Sequence, residues 1–289
     1  MITIKKLSCI SFLILQIAGV SILTQNIFFK AGEAGEVNVM NKDPGNKLPI
    51  AMKNISITIV YDNNPYKAGL LTSWGFSCLI RGTEKTILFD TGGNGSVLIA
   101  NMRQLGIDPE EIDITVLSHI HRDHTGGLEE CIKKNKKVRI YFPRSFPQEF
   151  QSRLQNSGVK TTQVYDAINI CTGVYSTGLL GSGIKEQSLV IHTDKGIIVI
   201  TGCAHPGIVK IINTARDLIG ADILLVMGGF HLAGMNKPEL EEIILYFRRS
   251  GVKHVGPCHC SGDLSRQLFK AEYGNDFINV GVGRIIRFE

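Results

Sequence analysis

The sequence lacks the features that mark several common protein classes. No run of basic residues is interleaved with aromatic ones, so a nucleic-acid partner is not indicated. Its seven cysteines are an odd number without the spacing of a disulfide-stapled secreted domain. There is also no internal repeat and no phosphate-binding P-loop pattern. The composition, with 44% hydrophobic and 20% charged residues, is that of a globular protein. A chain of 289 residues is also long enough to form a large core.

The first 30 residues differ in composition from the rest. Lys5 and Lys6 precede 23 uncharged residues, an order typical of an export signal or a membrane anchor. In a helix this length would cross a hydrocarbon core of ~30 Å. We therefore predict a signal peptide or an anchor helix at 1–30, a polar linker at 31–50, and a catalytic domain at 51–289 outside the cytoplasm. A buried first helix of the domain is the alternative to the anchor.

After residue 50, short apolar runs alternate with amphipathic stretches. The apolar runs predict strands at 55–61, 76–82, 85–92, 112–119, 137–143, 188–193, 196–202, 221–229 and 253–257. Helical spacing predicts helices at 95–106, 125–135, 144–158, 206–220, 237–251 and 263–274. Early strands followed by alternating strands and helices favour an α/β fold in which helices cover sheets.

Most of the eight histidines follow predicted strands, usually beside a glycine. His119 ends the run at 112–119 and two more histidines follow it, whereas His205, His231 and His259 each follow a different strand. Because catalytic groups collect on loops at strand ends, we expect these histidines to converge. His192 lies inside a predicted strand and His254 begins one, so both are predicted to be structural.

The stretch "SHIHRDHTGG" carries the strongest chemical signal in the chain. In an extended segment, residues i and i+2 point to the same side, so His119 and His121 can bind one metal. Asp123 and His124, after the turn, can face a second metal. Imidazole and carboxylate suit Zn²⁺, with manganese or iron as alternatives, and two cations ~3.5–4 Å apart can share a hydroxide. The sequence leaves four roles open for His231: a general acid, a contact with the substrate, a metal ligand or a packing residue.

This stretch resembles the H-x-H-x-D-H motif of the metallo-β-lactamase superfamily, and "FDTGG" at 89–93 resembles its upstream aspartate motif. With "SWGFSCLI", "TGCAHPGI", "GGFHL" and "PCHCSG", the chain is similar to the subgroup labelled 7,8-dihydropterin-6-yl-methyl-4-(β-D-ribofuranosyl)aminobenzene 5′-phosphate synthase-like. The resemblance implies a four-layer αββα sandwich with metals at one edge between the sheets. It implies that the ligands of the first metal are His119, His121 and His205, and those of the second Asp123, His124 and His259. Asp90 would orient the metal-binding loop.

The sequence departs from the superfamily pattern at one ligand position and in the segment before it. Cys203 falls where a bridging aspartate is usual, and Glu186 and Gln187 stand where an earlier histidine is expected. His205 is a candidate substitute for either group, so the bridging ligand stays open. Cys258 and Cys260 are predicted to be packing residues that face away from His259. Trp74, the single tryptophan, is predicted to lie in the core or at the rim of the site.

Two activities are compatible with these residues. The first is a hydrolase in which a metal-bound hydroxide, oriented by Asp123, attacks an ester, a phosphoester or an amide, with His231 as a candidate acid. The alternative is the transferase that gives the subgroup its label, in which diphosphate leaves a pterin methylene carbon. The N-terminal segment argues against the transferase, because that pathway is expected inside the cell. Either enzyme would act on a small molecule, with phosphorylated compounds among the candidates.

Overall fold

The structure is a computed structural model that describes residues 52–288. The predicted signal or anchor at 1–30 and the linker at 31–50 lie outside the described residues, so both stay predictions. Within 52–288, no helix combines the length and the apolar character that a membrane crossing requires.

Thirteen strands in the described residues form two mixed sheets. Their bounds are β1 Ile55–Tyr61, β2 Ser77–Arg81, β3 Ile87–Phe89, β4 Ile114–Val116, β5 Arg139–Pro143, β6 Lys160–Val164, β7 Ile168–Cys171, β8 Val174–Ser176, β9 Leu189–Thr193, β10 Gly196–Thr201, β11 Ile223–Gly229, β12 His254–Cys258 and β13 Ile285–Phe288. The first sheet has the order β13-β1-β2-β3-β4-β5-β6 and the second β12-β11-β10-β9-β8-β7. Strands β3 to β6 run parallel, and so do β10 to β12.

Helices cover the outer face of each sheet. The α-helices are α1 Gly95–Gln104, α2 Arg122–Thr125, α3 Leu128–Lys134, α4 Gln148–Asn156, α5 Ile208–Ile219, α6 Lys237–Arg249 and α7 Asp263–Tyr273. Within residues 52–288, three short 3₁₀ helices span Pro109–Glu111, His259–Ser261 and Gly274–Asp276. Side chains from α1, α3 and α4 pack on the first sheet, and those from α5, α6 and α7 pack on the second.

The alternation of side chains along each strand produces these layers. In β10, Ile198 and Ile200 enter the apolar cluster between the sheets, whereas Ile197 and Val199 enter the cluster beneath the helices. All four are fully buried, and each contributes about 1.5–3 kcal/mol by leaving water. Strands buried on both faces read as continuous apolar runs, which is why "GIIVIT" has no polar alternation. The layers are consistent with the predicted αββα sandwich.

The predicted elements differ from the structure in three places. Strands β6, β7, β8 and β13 were not predicted, because "KTTQV" is polar and the other three have at most four residues. The helix expected at 125–135 is divided into α2 and α3, so His124 lies within a helical turn. Helix α5 begins after Gly207, so Pro206 precedes the helix instead of occupying its first turn.

Candidate metal centre

Five strand ends deliver the site residues to one edge of the two sheets. Asp90 follows β3, the histidine-rich stretch follows β4, and "TGCAHPG" follows β10. His231 follows β11 by one residue, and His259 directly follows β12. Because the carboxyl ends of parallel strands meet at the same edge, residues distant in sequence converge there.

The first group of ligand atoms consists of three imidazole nitrogens. His119 Nε2 lies 3.1 Å from His121 Nδ1, and His205 Nε2 lies 3.2 Å from the same atom. The rings of His119 and His205 have centroids 4.8 Å apart. His119 is fully buried, and the other two are partly exposed, so this group faces solvent on one side.

The second group contains Asp123, His124, Cys203 and His259. His124 Nε2 lies 3.3 Å from His259 Nε2 and 3.1 Å from Cys203 Sγ. Asp123 Oδ2 lies 3.1 Å from His259 Nε2 and 3.6 Å from His124 Nε2. The two groups adjoin, because the ring centroids of His119 and His124 are only 4.2 Å apart.

The distances between ligand atoms within each group are those expected when the atoms bind the same cation. Two nitrogen ligands at the usual zinc distance lie roughly 3.3 Å apart around a tetrahedral ion, close to the 3.1–3.3 Å observed between ring nitrogens. The nitrogens within each group are directed at one another instead of at separate protein partners. The residues present therefore fit two cations, one for each group. A thiol among the atoms of the second group favours a soft or borderline ion such as Zn²⁺.

Asp90 and Ser118 fix the orientation of the histidines. Asp90 Oδ2 lies 2.7 Å from His124 Nδ1 and accepts a hydrogen bond from Ser118 Oγ, also at 2.7 Å. The other carboxylate oxygen accepts the Ser118 backbone N–H at 2.7 Å, and Ser118 Oγ lies 2.9 Å from His119 Nδ1. Such partners set the tautomer and the aim of a ligand. Asn63 Oδ1 holds His259 Nδ1 in the same way at 2.9 Å, a contact that sequence reasoning missed.

The backbone is strained at the same edge. Five non-glycine residues in the described chain have a left-handed backbone, and all except Asn54 belong to the site. Asp90, Ala204, His231 and His259 have φ values between 50° and 58°. Such conformations cost of order 1–3 kcal/mol each and persist where the surrounding structure imposes them.

A buried carboxylate occupies the segment where a histidine ligand was expected. Glu186 Oε1 accepts hydrogen bonds from the backbone N–H groups of Gly202 at 3.1 Å, and of Cys203 and Ala204 at 2.9 Å each. Its Oε2 accepts the His205 N–H at 3.0 Å. Burial raises the pKa of Glu186 to about 7 in spite of these bonds. Glu186 thus holds the loop that presents Cys203 and His205.

The first group is electrostatically suited to bind a cation through neutral imidazoles. Burial, together with the neighbouring His124 and His205, lowers the pKa of His119 well below its ordinary value. Burial and the nearby His231 lower the pKa of His205 to about 4. Both side chains are therefore neutral near pH 7, which is the form that binds metals.

In the second group, neighbouring opposite charges shift the pKa values more strongly than burial does. Burial alone would raise the pKa of Asp123, but the hydrogen bond with His259 and the proximity of His124 hold it well below its ordinary value. Burial alone would lower the pKa of His124, but Asp90 raises it. Asp123 is therefore ionised at neutral pH and can attract a cation.

His231 and Cys260 border the two groups, whereas Cys258 lies in the core. His231 is exposed, and its ring centroid lies 4.4 Å from that of His205; a hydrogen bond with Cys260 raises its pKa in spite of partial burial. Cys260 is not a plain packing residue, because a 3₁₀ helix at His259–Ser261 ends the strand alternation and turns the side chain toward His231. Cys258, as predicted, is buried between the sheets.

Trp74 lies beside the site, whereas the two remaining histidines lie away from it. Trp74 is 56% exposed with its ring centroid 4.7 Å from that of His259, which places it at the rim. His192 lies within β9, and His254 begins β12, where it pairs with Asp276 at 3.1 Å. Neither contributes to the two groups of ligand atoms.

A cavity of about 330 Å³ opens beside the first group. It lies within the size range of small-molecule sites. Its wall includes a ligand histidine, a lysine and a glycine-rich loop; the lining residues are Gly181, Ser182, Gly183, Ile184, His205, Pro206 and Lys210.

Such a fold and site define a class of metal-dependent enzymes, and comparison with known proteins identifies the family. The model of the metallo-beta-lactamase superfamily matches residues 75–222. The chain belongs to this superfamily. It is 30% identical over 285 residues to the 7,8-dihydropterin-6-methyl-4-(beta-D-ribofuranosyl)-aminobenzene-5'-phosphate synthase of Methanocaldococcus jannaschii, covering 81% of this chain and 97% of the synthase.

Two other relatives extend the comparison. An uncharacterised protein of the same organism is 30% identical over 265 residues, covering 80% of this chain and 99% of that protein. A solved metal-dependent hydrolase of the beta-lactamase superfamily is 27% identical with a TM-score of 0.68, covering 80% of this chain and 98% of the hydrolase.

Proposed function

We propose that the protein is a zinc-dependent hydrolase that cleaves an ester, phosphoester or amide bond in a small molecule. The observation that carries this proposal is the convergence of two adjoining groups of ligand atoms, with ring nitrogens 3.1–3.3 Å apart. Two cations held this way can stabilise both the attacking and the leaving oxygen. The similarity to a solved metal-dependent hydrolase supports the same activity.

The metals would be held by the residues that the two groups contain. His119, His121 and His205 would bind the first cation. Asp123, His124 and His259 would bind the second. Bound zinc lowers the pKa of a coordinated water to about 7, so that a nucleophile is available at neutral pH.

Protein side chains would orient the reactants and move protons. Asp123 has a side chain that is 22% exposed and that faces His124 and His259, so its carboxylate can orient a water and accept its proton. His231 is exposed beside His205, where it can donate a proton to a leaving group. Lys210, in the wall of the cavity beside His205, would attract an anionic substituent such as a phosphate.

An assay of the zinc-loaded full-length chain tests this proposal. Chromogenic phosphoesters, carboxyl esters and a β-lactam would be supplied separately, and inorganic diphosphate binding would be measured by calorimetry. We expect turnover of at least one substrate, its loss on chelation and its recovery with zinc. No turnover of any substrate, combined with tight diphosphate binding, would contradict the hydrolase.

The second candidate is the synthase activity, because the chain resembles the M. jannaschii synthase over most of both lengths. In this reaction an aminobenzene ribofuranosyl phosphate would attack the pterin methylene carbon while diphosphate leaves. The cations bound by the same two groups of residues would then bind the diphosphate. Diphosphate release that requires both the dihydropterin diphosphate and the aminobenzene compound would establish this activity, whereas release without the second substrate would indicate hydrolysis.

We expect the His231→Asn variant to lose activity selectively. Asn tolerates the left-handed backbone at this position, so the change removes the imidazole at little conformational cost. If His231 donates the proton to the leaving group, kcat should fall on the order of 10²-fold for a poor leaving group. It should change little for nitrophenolate, which needs no proton.

A histidine outside the site provides the control for this variant. His254 lies at the opposite end of β12 from His259, so His254→Asn should leave both substrates unaffected. Equal losses on good and poor leaving groups in His231→Asn would exclude the acid role.

A further inference from the structure

The orientation of the His259 ring depends on residues far from it in the sequence. His259 directly follows β12, where its backbone has a left-handed φ of 50° and begins a 3₁₀ helix of only three residues. A histidine that binds a metal needs a fixed ring orientation, because its nitrogen must point at the cation. The contacts that fix this ring come from the connection between β1 and β2, residues 62–76.

Asn63 contacts His259 with both ends of its amide. Its Nδ2 donates to the backbone carbonyl of His259 at 3.3 Å, and its Oδ1 lies 2.9 Å from Nδ1 of the same residue. A carbonyl oxygen only accepts, so the –NH₂ end must face it. The oxygen end of the amide also only accepts, so it requires a proton on Nδ1. The neutral ring then has its lone pair on Nε2, the nitrogen that lies 3.3 Å from His124 Nε2.

A buried carboxylate fixes the turn that carries Asn63. Asp62 is fully buried, and its Oδ1 accepts both the backbone N–H of Asn64 at 2.6 Å and the side-chain amide of Asn64 at 2.5 Å. The Asn64 carbonyl accepts the N–H of Val282 at 2.9 Å, which joins the turn to the segment before β13. Both neighbours of Asn63 are therefore held, and its amide extends from a fixed backbone.

The same connection also covers one face of the ring. The ring centroids of Trp74 and His259 lie 4.7 Å apart, with the planes tilted by 54°. The N–H of Ser73 donates to the Asp62 carbonyl at 3.3 Å, so the two ends of the connection are bonded to each other. Trp74 packs on the ring, but only Asn63 offers a hydrogen bond that distinguishes one ring nitrogen from the other.

We propose that Asn63 is a positioning residue that selects the His259 tautomer whose Nε2 binds the second cation. This inference rests on the metal centre of the proposed function but not on which reaction that centre catalyses. Because Asn63 acts through His259 alone, its loss should weaken the second cation and leave the cation of His119, His121 and His205 unchanged.

A cobalt titration tests this role without any assay of turnover. Equilibrium dialysis of the full-length protein against Co²⁺ would give the number of ions bound and the Kd of each. We expect two ions per chain in the unmodified protein. In Asn63→Ala one Kd should rise by about 10–100-fold, the usual cost of losing a group that orients a ligand, and the other should stay the same.

Two further variants separate positioning from packing. Asn63→Asp keeps an oxygen opposite Nδ1, and a carboxylate is a common partner of metal-bound histidine, so it should recover most of the lost affinity. Asn169→Ala is the matched control, because this half-buried amide donates only to the carbonyls of Cys171 and Val174. It lies on β7, at the opposite side of the second sheet from β12, and should bind both ions like the unmodified protein.

NMR of the zinc-loaded, unmodified protein gives a reading that does not depend on whether a variant folds. The proton on His259 Nδ1 should exchange slowly with water and show a nuclear Overhauser effect to the side-chain amide of Asn63. This signal should be missing in Asn63→Ala and present in Asn63→Asp and Asn169→Ala.

The outcomes separate this inference from the proposed function. Unchanged cobalt affinities in Asn63→Ala, an equal loss in Asn169→Ala, no recovery in Asn63→Asp, or a His259 ring without a proton on Nδ1 would each overturn the role of Asn63 and leave the metal centre intact. Failure of the unmodified protein to bind any cobalt would reject the metal centre itself, and the role of Asn63 with it.

Discussion

Replacing Glu186 by alanine is expected to destabilise the domain severely and to release metal from both groups of ligand atoms. The fully buried Glu186 carboxylate accepts four backbone N–H groups, those of residues 202–205. A buried donor left without a partner costs about 1–3 kcal/mol, so four of them would cost roughly 4–12 kcal/mol if no water enters. The stability of a whole domain is only about 5–15 kcal/mol.

A graded variant makes the result interpretable even if the alanine variant fails to fold. In Glu186→Gln, one amide oxygen can keep the three N–H groups that Oε1 now accepts, while the –NH₂ group opposes the N–H of His205. We expect a loss of about 1–3 kcal/mol and weaker metal binding, since His205 and Cys203 both depend on this loop. Urea unfolding of the metal-free protein and metal content after dialysis would measure the two effects.

The control is a carboxylate with similar bonds at the surface. Glu84 accepts both the backbone N–H and the hydroxyl of Thr172, but it is exposed, so water replaces it in Glu84→Ala. This variant should keep both its stability and its metal. If Glu186→Ala matched it in both measurements, the carboxylate would not be holding the loop.

The role of Glu186 could not be predicted from the sequence, whereas that of the histidine cluster could. The histidine cluster at 119–124 is local, so its chemistry follows from spacing along one segment. Glu186, however, was interpreted only as the absence of a histidine, because its partners are backbone groups 16 to 19 residues away, bonded only in the folded chain. Backbone N–H groups are the same in every residue except proline, so no sequence pattern can show which of them a buried carboxylate will bind.

The same distinction applies to the fold. Strands β10 and β11 could be predicted because burial on both faces demands continuous apolar runs such as "GIIVIT" and "ILLVMGG". Strand β6 is recognisable only from its pairing with β5, since its residues are mostly polar and partly exposed. Cys260 was misread for a related reason: the side-chain alternation expected after β12 is interrupted by a 3₁₀ helix that only the folded structure reveals.

Replacement of Asp123 by asparagine should reduce turnover about 10²–10⁴-fold, the usual contribution of a positioned proton acceptor. Asparagine keeps the shape and one oxygen but removes the negative charge that now lies 3.1 Å from His259 Nε2 and 3.6 Å from His124 Nε2. Because the three histidines of the first group are untouched, at least one zinc per chain should remain, and the loss should fall on kcat more than on KM.

Asp113→Asn is the matched control, since this exposed carboxylate only accepts the backbone N–H of Thr86 and should show unchanged kcat and metal content. Steady-state kinetics and zinc analysis on the same samples decide the result. A kcat within threefold of the unmodified protein, with a reduced metal content in Asp123→Asn, would show that the carboxylate only holds a cation. If kcat falls while both zinc ions stay bound, the carboxylate acts directly on the reacting water, because metal loss then cannot account for the effect.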